Sequence, residues 1–136
     1  MIQEINHDLA FLSQKAEKAT EADKHVIEDL LDTLRAHLEE CVGMAANMIG
    51  VNKSIIVFCK GKKQIAMVNP VIIKKDGPYA AEETCLSVPG SKQIIRYNEI
   101  EVVYLDSDFK RQRGKFSGWT AQIIQHEIDH TNGVLV

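Results

Sequence analysis

The chain has 136 residues, of which 45% are hydrophobic and 26% charged, and a formal net charge of −3, with a pI near 5.9. That size and balance fit one globular domain over 1–136 and are too small for two. The acidic balance argues against a specific nucleic-acid partner. No apolar run approaches the roughly 20 residues of a membrane span, and three cysteines do not suggest a disulfide framework.

The opening segment, Met1-Ile2-Gln3-Glu4-Ile5-Asn6-His7, lacks the basic start and apolar stretch of a secretion signal. A cytoplasmic setting is therefore expected. Residues 8–18 read as a short helix. Thr20 and Asp23 have the T-x-x-D form of a capping box, and Ile27, Leu30, Leu31, Leu34 and Leu38 then follow a helical apolar face. This spacing predicts a helix of about five turns. His25 and His37 fall in it and read as solvated, and Cys41 reads as a helix-end residue. Beyond Gly43 the pattern turns to β, with Val- and Ile-rich runs at 54–59, 64–73 and 100–105. Cys59 closes the first run and reads as a small buried hydrophobe. The basic clusters at 60–63 and 110–113 read as hairpin-turn residues, and Asp76-Gly77-Pro78 marks a further turn. Helix returns at 117–130 and ends at Asn132-Gly133. The class is α+β: antiparallel sheets packed around a C-terminal metal-binding helix, with helices at the N-terminus.

That last helix carries the most informative motif, His126-Glu127-Ile128-Asp129-His130, of the form H-E-x-x-H. Residues four apart share a helix face, so the two imidazoles can meet one metal ion. Glu127, one position round, can reach water at such a site without taking a ligand place. After His130 come Thr131, Asn132, Gly133, Val134, Leu135 and Val136, none a side-chain ligand, so a downstream third ligand is not expected unless another subunit supplies it. The third ligand is otherwise expected upstream, where Cys41, Cys59 and Cys85 are the strongest candidates, since thiolate suits zinc and ferrous iron. Cys85 stands out, in the polar, turn-rich segment Glu83-Thr84-Cys85-Leu86-Ser87-Val88-Pro89-Gly90.

Three blocks in order resemble the peptide deformylase family. Gly43-Met44-Ala45-Ala46-Asn47-Met48-Ile49-Gly50 is similar to its G-h-G-h-A-A-x-Q-h-G region, Glu83-Thr84-Cys85-Leu86-Ser87 to its E-G-C-L-S, and Gln125-His126-Glu127-Ile128-Asp129-His130 with Asn132-Gly133 to its Q-H-E-x-D-H-x-x-G. The resemblance covers nearly the whole chain. It implies that Cys85, His126 and His130 hold a divalent metal, ferrous iron first, with zinc or nickel as substitutes. It further implies that Glu127 is the base and that the Leu86 N–H donates to the oxyanion. The implied reaction releases formate from the N-terminal formyl-methionine of nascent bacterial proteins. Gly43, Met48, Glu83, Trp119 and Ile123 are assigned to substrate binding on the same resemblance, with Trp119 and Gln122 expected to make the pocket smaller and more polar. Arg96 is expected to pair with Glu83. A weak ribosome contact stays open.

The chain departs from the pattern at two places. Met48 stands where the family has Gln, the second oxyanion donor, and thioether sulfur donates nothing. If 47 and 48 are extended, Asn47 faces the other way and cannot substitute. Thr84 stands where Gly is usual. Two alternatives therefore remain beside deformylation: hydrolysis of another N-acyl group, and a metal-binding or regulatory paralogue with weak or no activity.

Overall fold

The computed structural model describes residues 1–136. Its helices are α1 (Leu9–Leu12), α2 (Lys24–Ala36) and α3 (Gly118–Thr131), and its strands β1 (Gly43–Ala45), β2 (Ile55–Lys60), β3 (Lys63–Thr84), β4 (Ser91–Leu105) and β5 (Arg111–Ser117). All five strands form one antiparallel sheet in the order β1-β2-β3-β4-β5.

Alternation along the inner strands gives the sheet two apolar faces. Ile55 and Val57 of β2, Met44 of β1 and Val68 of β3 pack with Val26, Ile27, Leu30 and Leu34 of α2. Their neighbours Ile56, Phe58, Ala45 and Met67 turn the other way and pack with Ala121, Ile123, Ile124 and Ile128 of α3. The period of two in a strand thus places α2 and α3 on opposite faces. Each fully buried Leu or Ile contributes about 1.5–3 kcal/mol, so β2, buried on both sides, anchors the fold.

Several expected boundaries move. The helix expected at 8–18 is only the single turn α1, capped by Asp8, whose Oδ1 accepts from the Ala10 and Phe11 N–H groups at 3.1 and 3.3 Å. Past Ser13 the chain extends, because Ala16 N–H donates to Thr131 O at 2.8 Å and Glu17 N–H to Asn52 O at 3.2 Å. The Thr20 cap is present: Asp23 Oδ2 accepts from the Thr20 N–H at 2.9 Å. Helix α2 is shorter than expected, with 13 residues. It ends before His37, whose Nδ1 lies 2.8 Å from Thr33 O. Leu38 falls beyond the last turn and is 45% exposed.

No chain reversal occurs at Asp76-Gly77-Pro78. These residues lie within β3, with Asp76 paired to Glu99 and Pro78 to Tyr97. Gly77 takes the positive φ of 71° that its turn-like sequence favours, but the strand continues through it. The reversal comes at 85–90, the tip of the long β3–β4 hairpin. Register shifts between Val68 and Val71 and between Ile72 and Lys74 bend that hairpin. Its tip thereby comes to lie beside α3.

Candidate metal centre

Helix α3 presents three functional side chains within five residues. His126 is 8% exposed, Glu127 4% and His130 0%. The helix is held against the sheet by Gln125, whose Nε2 donates to Tyr97 O at 2.8 Å while its Oε1 accepts from the Tyr97 N–H at 2.9 Å. One side chain thus does for β4 what a neighbouring strand would do. At the other end, Asn47 Nδ2 donates to His130 O at 2.9 Å.

The hairpin tip brings Cys85 to this helix. One ligand atom from each of Cys85, His126 and His130 lies within 4.8 Å of the others, and the two Nε2 atoms are 3.2 Å apart. His126 Nδ1 faces away, 2.7 Å from Glu83 Oε1. Glu83 is gripped in turn by Arg96, Nη2 to Oε1 at 2.7 Å and Nε to Oε2 at 2.9 Å. The third Arg96 nitrogen, Nη1, reaches Asp129 of α3. The expected Arg96–Glu83 pair is therefore present, within a larger network.

Charge follows from this packing. Burial would raise the Glu83 carboxyl, but hydrogen bonds from His126 and Arg96 outweigh it and hold it at about 2. Burial would lower His126, but Cys85 and Glu83 at its ring nitrogens bring it up to about 10. His130 is pushed down to about 3 by burial and by its His126 neighbour. The pocket thus stabilises positive charge at His126 and keeps His130 neutral. A thiol and two imidazoles whose ligand atoms converge this closely fit a divalent cation, and three ligands leave a position open.

Glu127 lies beside the ligands. Its Oε1 is buried with no hydrogen-bond partner, and burial pushes its carboxyl up to about 7. It fits there only because β1 has a glycine opposite: a Cβ on Gly43 would fall 2.9 Å from Glu127 Oε2 and 2.8 Å from Ile123 Cγ2. A cleft of about 440 Å³ opens here, bounded by Gly43, Met48, Cys85, Leu86, Trp119 and Ile123 among others. The Leu86 N–H donates to nothing within the protein.

A family model described as polypeptide deformylase matches residues 1–136. The chain belongs to that family. The peptide deformylase of Clostridium beijerinckii is 55% identical over 136 residues, the whole of both chains. That of Halothermothrix orenii is 40% identical over 130 residues, 91% of this chain and 83% of the relative. Among solved structures, the Thermotoga maritima peptide deformylase superposes with a TM-score of 0.89 at 31% identity, covering 99% of this chain and 95% of the other. A class I type b peptide deformylase from Acinetobacter baumannii, bound to Met-Ala-Ser, has a TM-score of 0.89 at 25% identity, covering 99% and 97%.

Within this deformylase fold the sequence-derived residues sort clearly. Cys85, His126, His130 and Glu127 converge, and Gly43, Met48, Leu86, Trp119 and Ile123 line the same cleft. Trp119 stands 62% exposed at the rim instead of packing on the sheet. Glu83 borders the cleft, but its carboxylate turns inward to His126 and Arg96. Gln122 does not add the expected polarity, because its amide is spent on Tyr79 and Glu83. Residues 46–49 form a 3-10 turn and not a strand, and Asn47 is buried against α3. Met48 Sδ accepts from the Ala45 N–H at 3.4 Å, the place a Gln or Glu takes in a capping box. Cys41 lines the cleft mouth, where burial pushes its thiol up to about 12. Sequence reasoning misses Asp129 and Gln125 as supports; both sit in the motif block, but their partners lie about 30 residues upstream on β4.

Proposed function

We propose that this chain is a metal-dependent amide hydrolase, a single domain over 1–136, that removes the formyl group from the N-terminal formyl-methionine of nascent proteins. One observation carries the reading. In a chain matched end to end by the deformylase family, Cys85, His126 and His130 converge beside a buried carboxylate whose Oε1 has no partner. Thiolate with two imidazoles suits ferrous iron, and zinc or nickel as substitutes. When bound, the ion supplies Lewis-acid polarisation and lowers the pKa of water to about 7.

The chain's own residues do the rest. Glu127 takes a proton from the attacking water and passes it to the amine nitrogen as the C–N bond breaks, leaving formate and a free amine. The unused Leu86 N–H donates to the oxyanion as the carbonyl carbon becomes tetrahedral. Ile123, Met48 and Trp119 receive the methionine side chain. Gly43 lets β1 lie close enough for the peptide to pass Glu127. A binding-only paralogue would not need a base buried without partners, and the named relatives do not favour that alternative.

No helix is long and apolar enough to cross a membrane. A reducing cytoplasm suits Cys85 as a thiolate ligand. A weak ribosome contact would run through the exposed basic clusters at 60–63, in the β2–β3 hairpin, and at 110–113, where β5 begins.

The test is formate release from formyl-Met-Ala by protein purified without oxygen, its metal quantified. Turnover should fall by about 10²–10⁴ in Glu127→Ala, the range general-base removal carries, with metal content unchanged. A fully loaded wild-type protein that releases no formate would overturn the reading.

A further inference from the structure

Gln122 borders the cleft, but its amide points elsewhere. Tyr79 Oη donates to Gln122 Oε1 at 3.1 Å, and Gln122 Nε2 donates to Glu83 Oε2 at 3.0 Å. That oxygen also accepts from Arg96 Nε at 2.9 Å, while Oε1 accepts from Arg96 Nη2 and meets His126 Nδ1, both at 2.7 Å. A carboxylate offers about four lone-pair sites. Glu83 thus has every site taken, two by Arg96, one by His126 and one by Gln122.

We propose that Gln122, oriented by Tyr79, is a positioning residue for the Glu83–His126 pair and hence for the metal ligand set. The inference rests on His126 being a metal ligand, as in the function above. Arg96 cannot fix Glu83 alone, because it is shared with Asp129. Gln122 closes the Oε2 side and leaves Oε1 as the oxygen turned to His126 Nδ1. That bond sets the imidazole plane and keeps the proton on Nδ1, so the Nε2 lone pair faces Cys85 and His130. Polar networks of this kind hold only when each member is satisfied.

A second consequence concerns the cleft. With both ends of its amide engaged, Gln122 shows the cleft its methylene stem. The wall beside Ile123 therefore gains no free amide from Gln122. A polar residue at this position thus leaves the pocket no more polar and instead serves the metal ligand behind it.

The test uses cobalt-loaded full-length protein and follows metal transfer to a chelator together with the ligand-field spectrum. Gln122→Leu should release cobalt about tenfold faster, the lower end of the 10–100-fold that partners of metal ligands carry. Its spectrum should shift. Tyr79→Phe, which removes only a hydroxyl from a half-buried side chain, should accelerate release less. The double variant should be no faster than Gln122→Leu, because the two act through one chain of bonds. Wild-type release rates in Gln122→Leu, with only KM for a formyl peptide changed, would make Gln122 a pocket wall and overturn the inference. Additive effects in the double variant would remove Tyr79 from it. Should Gln122→Leu fail to fold, Tyr79→Phe decides, and an unchanged release rate there counts against the proposal. Wild-type protein that takes up no cobalt would overturn the metal assignment and this inference with it.

Discussion

Around Glu83 each lone pair is occupied, and the donors come from β4 and α3. Across the cleft stand the flat edge of Gly43 in β1 and, in the turn at 46–49, Met48 with its sulfur held by the Ala45 N–H. The first wall is fixed by directional bonds, each of which fails sharply if one partner is lost. The second is fixed by size and packing. Metal geometry therefore belongs to the hairpin tip and α3, while rate can be adjusted at β1 and its turn without disturbing the ligands.

Substitutions can break this contrast. The largest effect is expected at the ligand wall: Cys85→Ser should abolish tight metal binding and turnover together, measured by metal analysis after gel filtration. A fully loaded Cys85→Ser protein would remove Cys85 from the ligand set. At the packing wall, Met48→Gln should raise turnover by up to about 10²–10³, the worth of an oxyanion donor. Its Oε1 could keep the Ala45 N–H while Nε2 turns to the cleft. Metal content should stay as in wild type, and a rate that does not rise at all would end the oxyanion account of Met48. Gly43→Ala, whose Cβ would press on Glu127 and Ile123, should lower turnover by about 10², as an ångström-scale misplacement can, again with the metal retained.

The smallest effect concerns stability. In metal-free protein the Glu127 carboxyl is raised to about 7 by burial. The folded state then holds its proton more tightly than the unfolded chain, where the carboxyl titrates near 4.3. Stability should fall as pH rises from that value through about 7. Glu127→Gln should remove this fall, gaining on the order of 3 kcal/mol at pH 8 and little below pH 4. Thermal melts of chelator-treated protein at both pH values check it. An equal gain at the two would show that burial of charge is not the cause.

Much of the site is legible in the order of residues alone. H-E-x-x-H fixes two ligands and a base through helix periodicity, and Cys85 stands out as the third in its polar, turn-rich segment. What the order of residues hides depends on long-range pairing. Arg96 meets Asp129, Gln125 meets Tyr97 and Gln122 meets Glu83 only because the bent hairpin returns over α3. Local signals also lose to tertiary bonds. Residues past Ser13 have helical spacing, yet Ala16 and Glu17 are claimed by Thr131 and Asn52. Asp76-Gly77-Pro78 has turn chemistry, yet pairing on both sides carries the strand through.

The Gln125 clamp makes one sheet amide report on a helix. Tyr97 N–H donates to a side chain of α3, while its strand partner opposite is Pro78, which has no N–H to offer in return. Its exchange with solvent deuterium should therefore follow the opening of α3 and not the fraying of the hairpin around it. Slow exchange at Tyr97 would be a local gauge of how firmly the metal-binding helix is seated.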